Sequence, residues 1–106
     1  MTQFDDRERS FEAKFSHEQE HDFRAVARRN KLLGLWAAEQ LGLADDEARA
    51  YALDVVDADF QRPGDEDVLA KVLGDLQAKG VETSEHLVRK RMNELFSQAV
   101  AEIDRG

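Results

Sequence analysis

Cysteine is absent from this 106-residue chain, and proline and glycine are scarce. Without cysteine there is no disulfide framework, no thiol nucleophile and no cysteine-ligated metal site. One proline and six glycines leave few helix-breaking positions, which favours long helices. The longest apolar run, residues 32–38, is far shorter than the roughly 20 residues needed to cross a bilayer. No signal peptide is visible at the charged N-terminus, so we expect a cytoplasmic protein of one small domain.

The net charge of −8 is unevenly distributed along the chain. Residues 1–31 contain seven acidic and seven basic residues, whereas the rest of the chain contains 16 acidic and eight basic residues. An acidic body argues against nucleic-acid binding, because that function needs lysine and arginine to neutralise phosphates. The first third of the chain is therefore electrically different from the remainder.

Helical periodicity runs through most of the chain and predicts an all-α fold. The spacing of apolar residues and of helix-breaking residues predicts four helices, at about residues 20–41, 46–61, 66–79 and 84–104. The helix around residues 32–41 is apolar on most sides and should be central. Short connections favour antiparallel neighbours, and we expect a four-helix bundle. The boundary signals are Gly42 and Gly80 as C-terminal caps, Asp45, Asp65 and Thr83 or Ser84 as N-terminal caps, and the Pro63–Gly64 break.

Residues 1–18 do not fit the bundle pattern, and we call them the N-terminal segment. Seven of the twelve residues from 4 to 15 are charged, yet Phe4, Phe11 and Phe15 fall within about 40° of one another on an ideal helix. Burying three phenylalanines stabilises a structure by about 5–9 kcal/mol, while ordering twelve residues costs about 12–24 kcal/mol. We therefore expect a mobile segment that becomes helical against a partner groove, and a bundle formed by residues 19–106.

A sequence that resembles a zinc-protease motif occurs at the start of the first predicted helix. His17, Glu18 and His21 match the H-E-x-x-H pattern. Catalytic zinc needs a third protein ligand and a dry cavity, and the only other histidine is His86. We predict exposed histidines and no metal site. A role for these histidines in pH-dependent charge changes stays open.

Other candidate motifs receive structural interpretations. The basic residues in 27–31 and 89–91 are expected on solvated helix faces, and Trp36 is expected to pack between helices. The chain has no glycine-rich phosphate-binding loop, and acidic pairs near positions 45 and 65 fit helix starts. We therefore predict a protein that is not an enzyme and has no cofactor.

The combination of FDDRERSFEAKF (4–15) with ARRNKLLGLWAAEQLG (27–42) resembles the zeta subunit of alphaproteobacterial F-type ATP synthases, a family of small ATPase inhibitors. The resemblance extends over the whole chain and is most specific in these two stretches. It implies a four-helix bundle whose N-terminal segment becomes helical at a catalytic interface between the α and β subunits, next to the γ subunit. There it would block ATP hydrolysis while allowing synthesis, on a cytoplasmic protein associated with the membrane-bound enzyme but not inserted in the membrane.

By this resemblance, the residues expected to contact the enzyme lie in the N-terminal segment. They are Phe4, Asp5, Asp6, Arg7, Arg9, Phe11, Lys14 and Phe15. The main alternative is a small helical adaptor or ligand-binding bundle that acts through its acidic body. That alternative predicts that removing the N-terminal segment changes little.

Overall fold

The computed structural model describes the backbone of residues 2–61 and 65–105, and the side chains of residues 21–59 and 65–105. It contains helix α1 (Thr2–Gln40), α2 (Asp45–Gln61), α3 (Asp65–Ala78) and α4 (Glu85–Arg105), and no strand within the described ranges. The predicted all-α, four-helix architecture is confirmed. The predicted break at Pro63–Gly64 lies outside the described residues.

Helix α1 begins much earlier than the sequence pattern suggested. The first helix was predicted to start near residue 20, whereas the structure has one helix of 39 residues from Thr2. Residues 2–18 of the N-terminal segment are thus helical and continuous with the central helix. Its predicted mobility in the free protein, and the division of the chain at residue 18, stay predictions.

Two glycines end their helices in the conformation that glycine favours. Gly42 and Gly80 have φ values of +81° and +86°. The next residue in each case donates a backbone hydrogen bond to a carbonyl five residues earlier, from Leu43 to Ala38 and from Val81 to Leu76, both at 2.9 Å. This pattern satisfies carbonyl groups that the helix end would leave unpaired. Both glycines therefore act as the predicted C-terminal caps.

The starts of α2 and α4 also follow local chemistry. The Ser84 hydroxyl oxygen accepts a hydrogen bond from the Leu87 backbone N–H at 3.3 Å, as expected for an N-terminal cap. Asp45 has a φ of +52°, a conformation that aspartate tolerates better than most residues, and it begins α2 with two further acids. Negative charge there interacts favourably with the helix dipole.

Helix α1 is the central helix and contacts each of the other three. Its pairing with α4 is antiparallel, because Arg28 contacts Glu102 while Trp36 contacts Arg91. The shared core contains residues from all four helices, with Trp36 and Tyr51 packed at its edge. The buried members of this core are Leu33, Ala37, Val55, Val68, Leu69, Val72, Leu76, Val88, Met92 and Leu95.

Helices α1 and α2 approach closely at Gly34. A Cβ atom placed on Gly34 would lie only 2.6 Å from the Cα of Ala52. Real Cβ atoms do not come that close to another backbone, so this crossing depends on glycine. The sequence analysis did not single out this position.

The buried face of α2 differs from the predicted one. In the sequence Leu53, Val56 and Phe60 recur at i, i+3 and i+7, which predicts an apolar stripe on α2. Leu53 is nevertheless 62% exposed, whereas Ala52 and Val55 are buried. The close approach at Gly34 turns Ala52 toward α1, and Leu53 lies about 100° further around the helix. The prediction for Leu53 was therefore wrong.

Candidate docking site on helix α1 and its junction with the bundle

The predicted partner-binding residues all lie on the first part of α1. Phe4, Phe11 and Phe15 belong to the helical backbone of residues 2–20, and so do the charged positions predicted with them. All of their side chains lie outside the described ones. Helix geometry places Phe4 and Phe15 about 16 Å apart along the axis, because each residue advances the helix by 1.5 Å. The side-chain roles assigned to this segment remain predictions.

The part of α1 whose side chains are described begins with two polar contacts to the end of α4. The His21 Nε2 lies 2.9 Å from an Asp104 carboxylate oxygen, and Arg28 Nε donates to Glu102 at 2.8 Å. The hydrogen bond from Arg28 lowers the pKa of the Glu102 carboxyl, and a second hydrogen bond from Gln98 lowers it further. We call these two contacts the junction, because they attach α1 to the bundle just after the N-terminal segment.

Small buried side chains lie close to the junction in the sequence. Ala25 on α1 and Ala99 on α4 are both fully buried. A shallow cleft of about 290 Å³ at the junction is lined by Arg24, Arg28, Glu102 and Ile103. The two junction contacts are partly exposed and therefore add only modestly to stability.

The basic cluster of residues 27–31 is only partly the solvated helix face that the sequence analysis predicted, because Arg28 and Lys31 are exposed but Arg29 is buried. Arg29 and Asn30 are only 4% and 0% exposed. The Arg29 Nη2 atom donates to Asn30 Oδ1 at 2.7 Å and to Asp65 Oδ1 at 2.9 Å. Asp65 is the first residue of α3, so this contact attaches α3 to α1. The prediction was wrong for Arg29, because its partner is 36 residues away in the sequence.

The second basic cluster, residues 89–91, was predicted to lie on a solvated helix face, and the structure agrees only in part. Arg89 pairs with Glu85 at 2.9 Å and with Glu66 at 3.1 Å. Its hydrogen bonds to Glu85 and then to Glu66 raise the pKa of Arg89. Arg91 instead lies over the ring of Trp36, 5.7 Å from the ring centre, which is within the range of a cation–π contact. The predicted packing role of Trp36 between helices is therefore confirmed.

A polar contact also joins α2 to α3. The Tyr51 hydroxyl donates to Asp75 at 2.8 Å, and Lys71 reaches the same carboxylate at 3.1 Å. Burial raises the pKa of the Tyr51 hydroxyl, and its hydrogen bond to Asp75 adds to the shift. Tyr51 therefore stays protonated at neutral pH and acts as a structural donor.

No metal site is evident in the part of the chain whose side chains are described. No group of three or more His, Asp or Glu residues there is arranged to hold an ion. His21, from the H-E-x-x-H match, contacts Asp104 instead. His17 and Glu18 lie outside the described side chains, so that motif is only partly visible.

None of the helices, over the residues searched, combines the length and apolar character that crossing a membrane requires. The surface of the described part of the bundle carries charged side chains of both signs. Sequence reasoning missed one feature of that surface, an apolar groove between α1 and α2. The sequence pattern that could have indicated this groove is a basic residue followed four positions later by leucine. It occurs at Lys31–Leu35 and again at Arg49–Leu53.

Comparison with known proteins gives a consistent result. The model of the family described as ATPase inhibitor subunit zeta matches residues 1–102. A similar structure solved in solution by NMR shares 52% sequence identity with this chain and has a TM-score of 0.68. That alignment covers 78% of this chain and 94% of the other. The search of curated proteins produced no match.

Proposed function

The chain belongs to the ATPase inhibitor subunit zeta family, and we propose that it inhibits ATP hydrolysis by the F-type ATP synthase through its N-terminal segment. The observation that carries this proposal is the extent of the family match. The match covers residues 1–102, so residues 4–15 lie within the region that the family model describes, together with nearly all of the four helices.

We propose that the segment enters a catalytic interface between the α and β subunits, near the γ subunit, as a helix. Phe4, Phe11 and Phe15 would fill apolar pockets, because large aromatic side chains supply most of the binding energy in many interfaces. Charged residues around them would orient the helix and exclude wrong registers. The proposed charged contacts are Asp5, Asp6, Arg7, Arg9 and Lys14.

The helical backbone from Thr2 supports this mechanism. A segment that is already helical loses less conformational entropy on binding than one that must fold first. Its continuity with α1 also means that the bundle would stop outside the interface while the first turns enter it. The junction at His21 and Arg28 supports this arrangement, because it holds α1 to α4 next to the proposed point of entry. In this proposal the protein has no chemistry of its own and works on the cytoplasmic side.

A site-specific cross-link tests the proposed location. The chain has no cysteine, so Ser10→Cys creates a single attachment point for a photoreactive reagent next to Phe11. On illumination during ATP hydrolysis, we expect cross-links from position 10 to the α, β or γ subunit. The matched control is Gln77→Cys on the exposed side of α3. Cross-linking from position 10 at no more than the level of position 77 would contradict the proposal.

A further inference from the structure

A groove between α1 and α2 exposes apolar surface that the proposed inhibitory segment does not use. Lys31, Leu35, Arg49, Ala52 and Leu53 line it, and we call it the leucine groove. Its volume is about 380 Å³. Leu53 is 62% exposed, more than either of the other exposed large apolar side chains, Phe23 and Leu87, in the described part of the chain. An apolar patch beside a cavity is typical of a surface that binds a partner.

The register of the two helices gives the order of residues along the groove. Gly34 lies level with Ala52, because a Cβ on Gly34 would be 2.6 Å from the Ala52 Cα. The short connection between α1 and α2 makes them antiparallel, so the order along the groove is Lys31, Leu53, Leu35, Arg49. At 1.5 Å per residue this sequence spans about 9 Å along the helix axes. Two leucines thus lie between two positive charges.

The charge of the groove is opposite to that of the surrounding body. After residue 31 the chain has 16 acidic and eight basic residues, yet no acidic residue lines the leucine groove. Two other clefts on the bundle include carboxylates, Glu82 and Glu94 in one and Glu102 in the other. Arg49 pairs with Asp46 at 3.3 Å, but both side chains are highly exposed. Such an exposed pair is weak and easily exchanged for another acidic partner.

We propose that the leucine groove binds an acidic amphipathic helix on the ATP synthase, as a second contact in addition to the N-terminal segment. This inference rests on the proposed function. A helix with two carboxylates seven residues apart presents them on one face about 10.5 Å from each other, which matches the separation of Lys31 and Arg49. Aliphatic side chains at the intervening third and fourth positions would pack against Leu35 and Leu53.

The two contacts would act together. Lys31 is 16 residues after Phe15, about 24 Å further along α1, so the groove would stay outside when the segment is inserted. A second contact on the same rigid helix raises the local concentration of the inhibitory segment without taking part in inhibition. Weakening it should therefore change affinity and leave the inhibited state itself unchanged.

The test compares two full-length double variants. Lys31→Glu with Arg49→Glu reverses both charges of the groove. Lys79→Glu with Lys90→Glu makes the same change in net charge at two exposed positions, one just after α3 and one on α4. Binding of each labelled protein to the purified synthase is measured by fluorescence anisotropy, and ATP hydrolysis is measured separately at saturating protein. Circular dichroism melts check that both variants are folded.

We expect the groove variant to bind at least 10-fold more weakly than wild type, with the control variant within about threefold. At saturation both should inhibit as fully as wild type. Equal binding by the groove variant and the control would overturn the groove proposal alone. Binding by wild type without inhibition would overturn the proposed function, and the variants would still decide the groove. No binding by wild type would overturn both.

A cysteine at position 53 identifies the occupant. Leu53→Cys carrying a photoreactive reagent is compared with Leu87→Cys, since Leu87 is similarly exposed on α4. We expect position 53 to cross-link to a synthase peptide with acidic residues on both sides of aliphatic ones. Cross-links to a second copy of this chain, or to a peptide without acidic residues, would overturn the assignment.

Discussion

Replacing Gly34 by alanine is expected to lower the free energy of unfolding by about 1–2 kcal/mol, although alanine favours helices. The added Cβ would lie 2.6 Å from the Ala52 Cα and 3.1 Å from its Cβ, so α1 and α2 must move apart. A clash with a backbone atom should cost the upper part of the usual overpacking range, about 2–3 kcal/mol. The gain in helix propensity of about 1 kcal/mol then leaves a net loss of about 1–2 kcal/mol. Gly34→Val should lower the free energy of unfolding further than Gly34→Ala does.

Gly74→Ala is the matched control in the interior of α3. No atom would lie within 4 Å of its new Cβ, and Gly74 is exposed. The same change should therefore stabilise the protein there by about 0.5–1 kcal/mol. Urea denaturation followed by circular dichroism gives both values. If Gly34→Ala is as stabilising as Gly74→Ala, the helices do not approach as closely as the structure shows.

Replacing Phe4, Phe11 and Phe15 together by alanine is expected to abolish inhibition of ATP hydrolysis. An aromatic residue in a well-packed interface pocket contributes about 2 kcal/mol or more, and each 1.4 kcal/mol corresponds to a tenfold change in affinity. Each single change should therefore weaken inhibition by about 30-fold, and the triple change by 1,000-fold or more. The measurement is the concentration that halves ATP hydrolysis by the purified synthase.

Phe23→Ala provides the control for loss of an aromatic ring on the same helix. Phe23 is 58% exposed and lies beyond the N-terminal segment, within the part of α1 that belongs to the bundle. Its replacement should change the inhibitory concentration by no more than about threefold. A triple variant that still inhibits like wild type would show that the rings are not the contact surface, and inhibition lost equally with Phe23→Ala would point to the whole helix rather than to the segment.

Local signals were sufficient to predict the helical architecture. Gly42 and Gly80 end helices because few other residues tolerate positive φ, and Ser84 starts α4 through a side chain that caps the first turn. Each of these depends on residues within five positions in the sequence. The central position of α1 likewise follows from its own composition around residues 32–41.

Features that depend on contacts between helices could not be predicted in the same way. In the sequence Arg29 resembles a surface residue, and only the folded structure places Asp65 beside it. The exposure of Leu53 follows from the rotation of α2 against Gly34, which hydrophobic periodicity does not determine because apolar residues occur on more than one side of that helix. The leucine groove depends on the same rotation, since it places Leu53 next to Leu35.

The features of the candidate site differ in the same way, because some depend on local sequence and others on contacts between helices. The aromatic stripe of residues 4–15 is a one-helix pattern and was visible in the sequence. The junction that attaches α1 to α4 was not, because His21 and Asp104 are 83 positions apart. The zinc-protease match at residues 17–21 was rejected from the sequence because a third ligand was missing, and in the structure its described histidine, His21, contacts Asp104.

The most direct test of the central claim is ATP hydrolysis by the purified cognate synthase with the full-length chain and with a variant that lacks residues 1–18. A thermal melt of the variant first establishes that residues 19–106 fold without the segment. We predict that only the full-length chain inhibits. Equal inhibition by both would contradict this account and place the active surface on the bundle, as the adaptor alternative requires.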